Sequence, residues 1–480
     1  MRKVLLLVIA VGICVSSAHV YGKSPDVDQA RSALRKACEF FQQKVGVEGG
    51  YVWQYSGDLT LSEGEGKTAG TTTVWVQPPG TPTIGEAFLD AYDATGDSYY
   101  LDAANQTGRI LATGQMRTGG WYYSIETTPE KQAAFGYRHI KPAKKQQTRT
   151  TVDDNTTQAA LHFLIRLDQA DGQKMAAIHD AVTFGLDALI AAQRPIGGWY
   201  QNWKEYPTPV DEKAYPVLQA SYPTEWSRKW LNDWTGKYYL NDDVTADLID
   251  LFLSAYAAYG DKRYLETAER AGDFLLLAQM PEPQPAWAQQ YDEKMQPVWD
   301  RKFEPPAISG GESQQVITTL MQLYRETGKA KYLEPIPAAL RYLSESILPN
   351  GKLARFYELQ TNRPLYFTKD YQLTYDASDV PDHYSFVIDS KLESLSQEYQ
   401  RYRTRTLEQL KAGQAKKRAS YSEDRVAKAI ASLDERGAWV EKGTTRLYPK
   451  VKNASGVIRS QTFAANVRQL SNYIAAQKQE

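Results

Sequence analysis

The stretch "GDSYYLDAANQTGRILATGQM", Gly96 to Met116, returns as "GDKRYLETAERAGDFLLLAQM", Gly260 to Met280, with nine of 21 positions identical and no gap. Weaker copies begin near Asp171 ("DGQKMAAIHDAVTFGLDALIAAQ") and at Gly328 ("GKAKYLEPIPAALRYLSESIL"). Each copy follows a helical apolar pattern and ends in a turn: Gly119-Gly120-Trp121, Gly197-Gly198-Trp199, Pro285-Ala286-Trp287 and Asn350-Gly351. In one unit Leu248, Leu251, Phe252, Ala255, Tyr256 and Tyr259 obey the spacing of a buried helical face. Gly260-Asp261 breaks that helix, and a second runs from about Tyr264 to Met280 on a face of Leu265, Ala268, Phe274 and Leu275. One hairpin cannot bury both faces, so successive hairpins must stack. The copies lie about 65 to 90 residues apart, which leaves room for substantial loops at one end of each hairpin. The expected fold is all-α: an α/α toroid, a closed or incomplete barrel of helical hairpins with long loops around its mouth. An open solenoid is the alternative.

Met1-Arg2-Lys3 precedes an apolar run from Val4 to Val15 and small residues at Ser16, Ser17 and Ala18, the pattern of a secretory signal peptide. Residues 1–22 are read as that peptide, and the mature chain is expected to be secreted or periplasmic. The run is too short to span a bilayer, and no other stretch approaches the roughly 20 apolar residues a span requires, so no membrane span is expected. Loss of the leader leaves Cys38 alone, and no intramolecular disulfide can form. With 56 basic and 57 acidic residues the chain lacks the basic excess of a nucleic-acid binder, and no nucleic-acid partner is expected. Eleven Trp and 32 Tyr in an exported chain hint at carbohydrate, whose flat faces aromatic rings can cover. Residues 200–237, rich in Pro, Tyr and Trp, read as a long loop ordered by its own aromatics. Residues 401–480 read as a helical extension closing the same domain, and a monomer is expected.

"TTVDDNTTQAALHFL", Thr150 to Leu164, and "YLNDDVTADLIDLFL", Tyr239 to Leu253, each place adjacent carboxylates and an amide before the first helix of a hairpin. Asp and Asn are favoured helix caps, and either cluster alone reads as one. A cap needs one residue, however, whereas each cluster offers several hard oxygen ligands of the kind calcium takes. Stacking of the hairpins would bring both clusters to one end of the toroid. No Gly-rich nucleotide loop appears, no His pair has metal-ligand spacing, and no Ser/His/Asp set is recognisable.

The strings "DDNTTQAALHFL", "GGWYQNW", "LNDDVT", "WAQQYDEKMQPVWDRKFEPPAISGGES" and "FYELQTNRPLYFTKD" resemble polysaccharide lyase family 10, the pectate lyases, over roughly residues 85 to 390. The resemblance implies that residues 23–400 form a catalytic toroid cleaving polygalacturonate by calcium-assisted β-elimination to 4,5-unsaturated oligogalacturonides. It makes Asp153 and Asp242 the calcium carboxylates and Arg301 the catalytic arginine. Arg363, Lys369, Asn155, Trp199, Tyr291 and Glu312 become candidates for binding the uronate chain, with Lys369 standing where the family commonly has arginine. The insertion before Asp242 and the tail beyond Arg401 depart from the family pattern.

Such chemistry removes the proton next to a uronate carboxylate and must hold the resulting negative charge while a C–O bond breaks. A cation on the carboxylate acidifies that proton, and Arg adds charge-assisted hydrogen bonds. A guanidinium is an awkward base because its pKa exceeds about 12. From spacing alone, Arg301 can equally be a structural partner of Glu304 or Glu312. Two other functions stay open: a glycoside hydrolase using Asp153 and Asp242 as acid and base, and a non-catalytic uronate-binding protein.

Overall fold

In the computed structural model, which describes residues 25–65, 70–211, 215–232, 236–443 and 456–478, the repeat is a pair of helices joined by its Gly-Asp step. The helices are α1 (Val27–Phe40), α2 (Thr81–Thr95), α3 (Ser98–Thr113), the single turn α4 (Pro129–Gln132), α5 (Thr156–Ala170), α6 (Ala176–Ala192) and α7 (Val244–Tyr259). They continue as α8 (Lys262–Leu277), α9 (Gly310–Thr327), α10 (Ile336–Glu345), α11 (Leu392–Thr404), α12 (Leu407–Arg418), α13 (Glu423–Ala431) and α14 (Ser460–Gln477). Gly96 and Gly260 take left-handed φ of 75° and 70° and end α2 and α7, a conformation glycine adopts without the clash of a Cβ. The next residue, Asp97 or Asp261, accepts the amide of Tyr99 or Arg263 and caps the following helix.

The Gln and Trp that close three of the four repeats explain why hairpins stack. Gln115 Nε2 donates to Gly119 O in its own turn at 2.9 Å and to Ala181 O of α6 at 2.8 Å. Gln193 does the same to Gly197 and to Thr267 of α8, and Gln279 to Pro285 and to Pro335 just before α10. Trp121, Trp199 and Trp287 each send the indole N–H 2.8 Å to a carbonyl at the end of the preceding helix, Leu111, Leu189 and Leu275. Trp439 repeats this on Ala429. The ring therefore fills the gap between hairpins while its polar edge satisfies an otherwise orphaned helix terminus.

Helices α14, α2, α5, α7 and α9 pack in that order as an inner ring, and α3, α6, α8 and α10 lie outside them. The end of α12 meets α14, where Asn472 Nδ2 donates to the carbonyls of Arg418 and Ser420, so the inner ring closes. Near the chain's ends, Val457–Arg459 pairs antiparallel with Gln54–Ser56, joining the C-terminal segment to the start of the ring. This is the α/α toroid that the repeat demanded, mostly helical. It also carries short antiparallel ribbons that the all-α expectation omitted. A four-stranded one orders Leu373–Thr374, Pro364–Phe367, Phe356–Glu358 and Ala307–Ser309 over a separate aromatic core of Trp299, Phe303, Phe356 and Phe367. Trp226 of the aromatic insertion packs on Trp299, and Arg228 ion-pairs with Glu358, tying that insertion to the sheet. The apolar leader read in residues 1–22 lies outside the described residues. Among the described residues no helix is long and apolar enough to cross a membrane.

Candidate functional site

Each acidic cluster is a tight turn held between a ribbon and an inner helix. Thr150–Thr151 pairs with Asn202–Trp203 before α5, and Tyr238–Tyr239 pairs with Gln290–Tyr291 before α7. Thr157 Oγ1 then donates back to Thr151 O at 2.6 Å, and Thr245 Oγ1 to Tyr239 O at 2.8 Å, so the two turns correspond residue by residue. Asp154 and Asn155 have φ of 48° and 57°, and Asp242 and Asp243 have 49° and 58°. Asp and Asn tolerate this left-handed backbone better than most residues, yet two in succession, twice, is strain of the kind kept at functional sites.

Capping does not account for these turns. Asn155 and Asp243 occupy the N-cap positions of α5 and α7, and neither side chain accepts a helix amide. The oxygens remain available for something else. Carboxylate oxygens of Asp153, Asp154 and Asp242 lie within 4.8 Å of one another. Beside them, Asn155 Oδ1 is buried with no hydrogen-bond partner. Three carboxylates so close together are a donor set suited to a hard divalent cation such as calcium.

Neighbours fix these carboxylates from behind. Asp153 accepts from Tyr123 OH at 2.6 Å and from Gln201 Nε2 at 2.7 Å, Asp154 from Gln77 Nε2 at 2.8 Å, and Asp242 from Asn241 Nδ2 at 2.8 Å. Burial, followed by the charges of Asp153 and Glu65, pushes the Asp154 carboxyl up to about 7. Burial, followed by Asp154 and Asp153, pushes Asp242 up to about 8. Asp153 also rises, chiefly through burial, although Tyr123 and Arg301 oppose it. Repulsion within the cluster thus adds to burial at Asp154 and Asp242.

Arg301 faces this cluster, its Nη2 3.7 Å from Asp242 Oδ2. Its Nε and Nη2 donate to the two oxygens of Glu304 at 2.6 and 2.5 Å, and Glu304 is fully buried and also accepts from Tyr384 OH at 3.0 Å. Pairing with Glu304 and presence in the site are therefore both true. Burial alone would lower the Arg301 pKa, but the hydrogen bonds and charge of Glu304 outweigh it and drive the pKa up. Tyr123, Arg149, Asp153, Lys237, Asp242 and Arg301 line one cleft of about 490 Å³, three carriers of positive charge around the acidic floor.

Other expected site residues are less central. Glu312 is buried and holds Gln289, which in turn holds Asn241, so it braces the second acidic turn. The substrate-binding expectation for Trp199 and Tyr291 must be corrected: both are fully buried. Trp199 stacks on Phe252, and the Tyr291 hydroxyl donates to Ala278 O, so neither ring presents a face to the cleft. Arg363 lies over the Tyr375 ring at 3.4 Å and Lys369 is an exposed side chain 3.9 Å from Asp379; neither lines the cleft. Sequence reasoning passed over Asp154 as a ligand by matching Asp153 with Asp242. Aligning "TTVDDNTT" on "YYLNDDVT" sets Asp154 against Asp242 and would have found it.

Residues 115–215 match the model of a family described as pectic acid lyase. The matched segment carries the first acidic turn; Asp242 and Arg301 lie beyond it. No curated protein sequence is a recognisable relative. A family 10 polysaccharide lyase from Cellvibrio cellulosa, solved as a mutant in complex with trigalacturonic acid, is 17% identical, covering 67% of this chain and 97% of its own, with a TM-score of 0.45. A family 76 glycoside hydrolase (mannosidase) from Bacteroides thetaiotaomicron is 12% identical over 94% of this chain and 99% of its own, with a TM-score of 0.45. A cellobiose 2-epimerase from Spirochaeta thermophila is 12% identical over 69% and 89%, with a TM-score of 0.38.

Proposed function

We propose that this protein is an exported pectate lyase that cleaves polygalacturonate by β-elimination, using calcium held by Asp153, Asp154 and Asp242. The observation that carries the reading is the meeting of three carboxylates with Arg301 across one cleft, on a chain whose 115–215 segment has the pectic acid lyase pattern. In such a reaction a base takes the proton on C5, the C–H electron pair forms the C4–C5 double bond, and the C4–O bond breaks, its oxygen leaving as an alcohol after taking a proton from solvent. A divalent cation bound to the acidic cluster supplies a Lewis acid that polarises the uronate carboxylate.

The chain's own residues do the rest. Arg301, clamped by Glu304 through two of its nitrogens, offers its remaining edge as a fixed positive charge to the carboxylate whose negative charge grows. Arg149 and Lys237 add positive charge along the same cleft, where a polymer with a carboxylate on every sugar would lie. A hydrolytic pair is less well supported. The matched 115–215 segment has the pattern described as pectic acid lyase and not that of a hydrolase. The test is ultraviolet absorbance during incubation with polygalacturonate. Absorbance of the unsaturated product should rise, stop on chelation and return with calcium better than with magnesium. New reducing ends without a double bond would instead mean hydrolysis. N-terminal sequencing of the exported protein checks removal of the leader.

A further inference from the structure

A second hollow, of about 560 Å³, adjoins the cleft and shares Tyr200 and Asn202 with it. Its walls come from the end of α6 and from the aromatic insertion: Arg194, Trp203, Lys204, Tyr206, Pro207 and Pro209. The walls are firmly held. Trp203 lies in the ribbon with Thr150 and its indole donates to Thr118 O at 2.9 Å. Tyr200 is covered by two cations, with Arg194 Cζ 4.0 Å and Lys237 Nζ 5.4 Å from its ring centre.

Arg194 is the unexplained group. Arg194 lines the hollow beside Lys204 and Glu205, and among the described residues no carboxylate pairs with its guanidinium; its Nε, without a hydrogen-bond partner, is itself closed to solvent. A partly buried guanidinium normally finds an anion, since its donors are poorly compensated without one. Nearby, Tyr206 keeps 41% of its surface exposed, its ring braced by Phe184 at 5.2 Å. A rigid exposed ring beside proline walls offers a flat apolar surface at little entropic cost. An anionic group and a flat ring face together describe one sugar acid.

We propose that this hollow is a distal subsite for a further uronate unit of the polymer lying in the cleft, its carboxylate on Arg194 and its ring face on Tyr206. The proposal rests on the pectate lyase reading of the adjoining cleft. The aromatic insertion then serves to extend the bound length of the chain beyond the reacting bond.

The test compares defined oligogalacturonates from trimer to octamer on the full exported chain, its Arg194→Ala and Arg194→Lys variants and Tyr206→Ala. Arg194→Ala should lower the ratio of octamer to trimer kcat/KM about tenfold, the size of one charge-assisted hydrogen bond. Arg194→Lys should recover part of it, and Tyr206→Ala should lower the same ratio. Calorimetry with the Arg301→Ala background should show octamer affinity falling about tenfold when Arg194→Ala is added, with a much smaller change for the trimer. Equal losses at every length, or no loss at any, would overturn the subsite. If the parent makes no unsaturated product but calorimetry still shows Arg194-dependent preference for the octamer, the subsite stands and the lyase reading falls. If binding shows no dependence on length, the subsite is wrong whatever the activity.

Discussion

Replacing Asp242 with Asn removes one negative charge from the acidic cluster while keeping the side chain's shape, and so tests whether that charge serves a bound metal. The folded-state pKa values of Asp242 and Asp154, about 8 and about 7, lie above the ordinary 3.8. The metal-free native state therefore holds more protons than the unfolded state between about pH 4 and pH 8, and its stability falls as pH rises through that window. Calcium takes the ionised carboxylates, so binding must expel these protons, and affinity rises up to tenfold per pH unit for each proton displaced. Two full shifts would weaken calcium up to about a thousandfold between pH 8.5 and pH 6. Solvent reaching the Asp242 side chain, 35% exposed, screens part of that, and a loss of at least about tenfold is expected. At pH 8.5, calcium at about 100 times its Kd adds about 2.7 kcal/mol of stability. With an unfolding entropy of roughly 1 kcal/mol/K for a chain this size, Tm should rise by about 3 °C; the same calcium at pH 6, then at no more than about 10 times its Kd, should add at most about half of that. Asp242→Asn should abolish the rise. Without metal it should leave the protein at least as stable as the parent at pH 8.5, because one of three mutually repelling charges is gone. Scanning calorimetry at both pH values, with and without chelator, reads all of this. A parent indifferent to calcium, or an Asp242→Asn protein that keeps the full rise, would refute the reasoning.

Arg301→Ala should reduce turnover by at least about a hundredfold, measured by product absorbance, while oligogalacturonate still binds in calorimetry; near-parental turnover would remove Arg301 from the chemistry. Arg301→Lys, with an unperturbed pKa near about 10.4, should retain activity rising over a lower pH range than the parent's if residue 301 is the base, and should shift no pH limb if it only holds charge. Glu304→Gln should weaken the clamp on Arg301 and lower kcat more than it raises KM, since Glu304 is buried behind the arginine and does not line the cleft. Trp199→Phe should lower stability by about 2–4 kcal/mol, from lost volume and an unsatisfied Leu189 carbonyl, with KM unaltered; a changed KM at constant stability would return Trp199 to the binding surface.

The toroid was legible because its determinants are local and repeated. Gly96-Asp97 and Gly260-Asp261 are helix end and helix start in two letters, and Gln115, Gln193 and Gln279 sit at one register in each copy because each must reach the next hairpin. The shared end of the two acidic turns followed from their place before first helices. The ribbons were illegible for the opposite reason: strands of two or three residues, such as Gln290–Tyr291, are too short to show alternation and exist only because a distant partner, here Tyr238–Tyr239, supplies their hydrogen bonds. Trp199 shows a further limit. A tryptophan after a turn has the same letters whether its ring faces a sugar or fills the seam between hairpins, and only the indole bond to Leu189 decides.

Arg301 is where sequence pattern and physical chemistry pull apart. At pH 8.5 an arginine, whose pKa ordinarily exceeds about 12, is deprotonated in fewer than about one in three thousand molecules, a penalty of at least about 5 kcal/mol for any mechanism in which it takes a proton. Glu304 makes that penalty larger, because a buried carboxylate hydrogen-bonded at 2.6 and 2.5 Å to two guanidinium nitrogens is itself stabilised only while the arginine is charged. A site evolved to ease proton loss from Arg301 would not place its best anion there. What Glu304 does supply is orientation: Nε and Nη2 are pinned, the planar group cannot rotate, and the pinned Nη2 is held 3.7 Å from Asp242 at a cost in entropy already met during folding. On the proposed lyase reading, Arg301 therefore acts as a fixed positive charge for the uronate and not as its base.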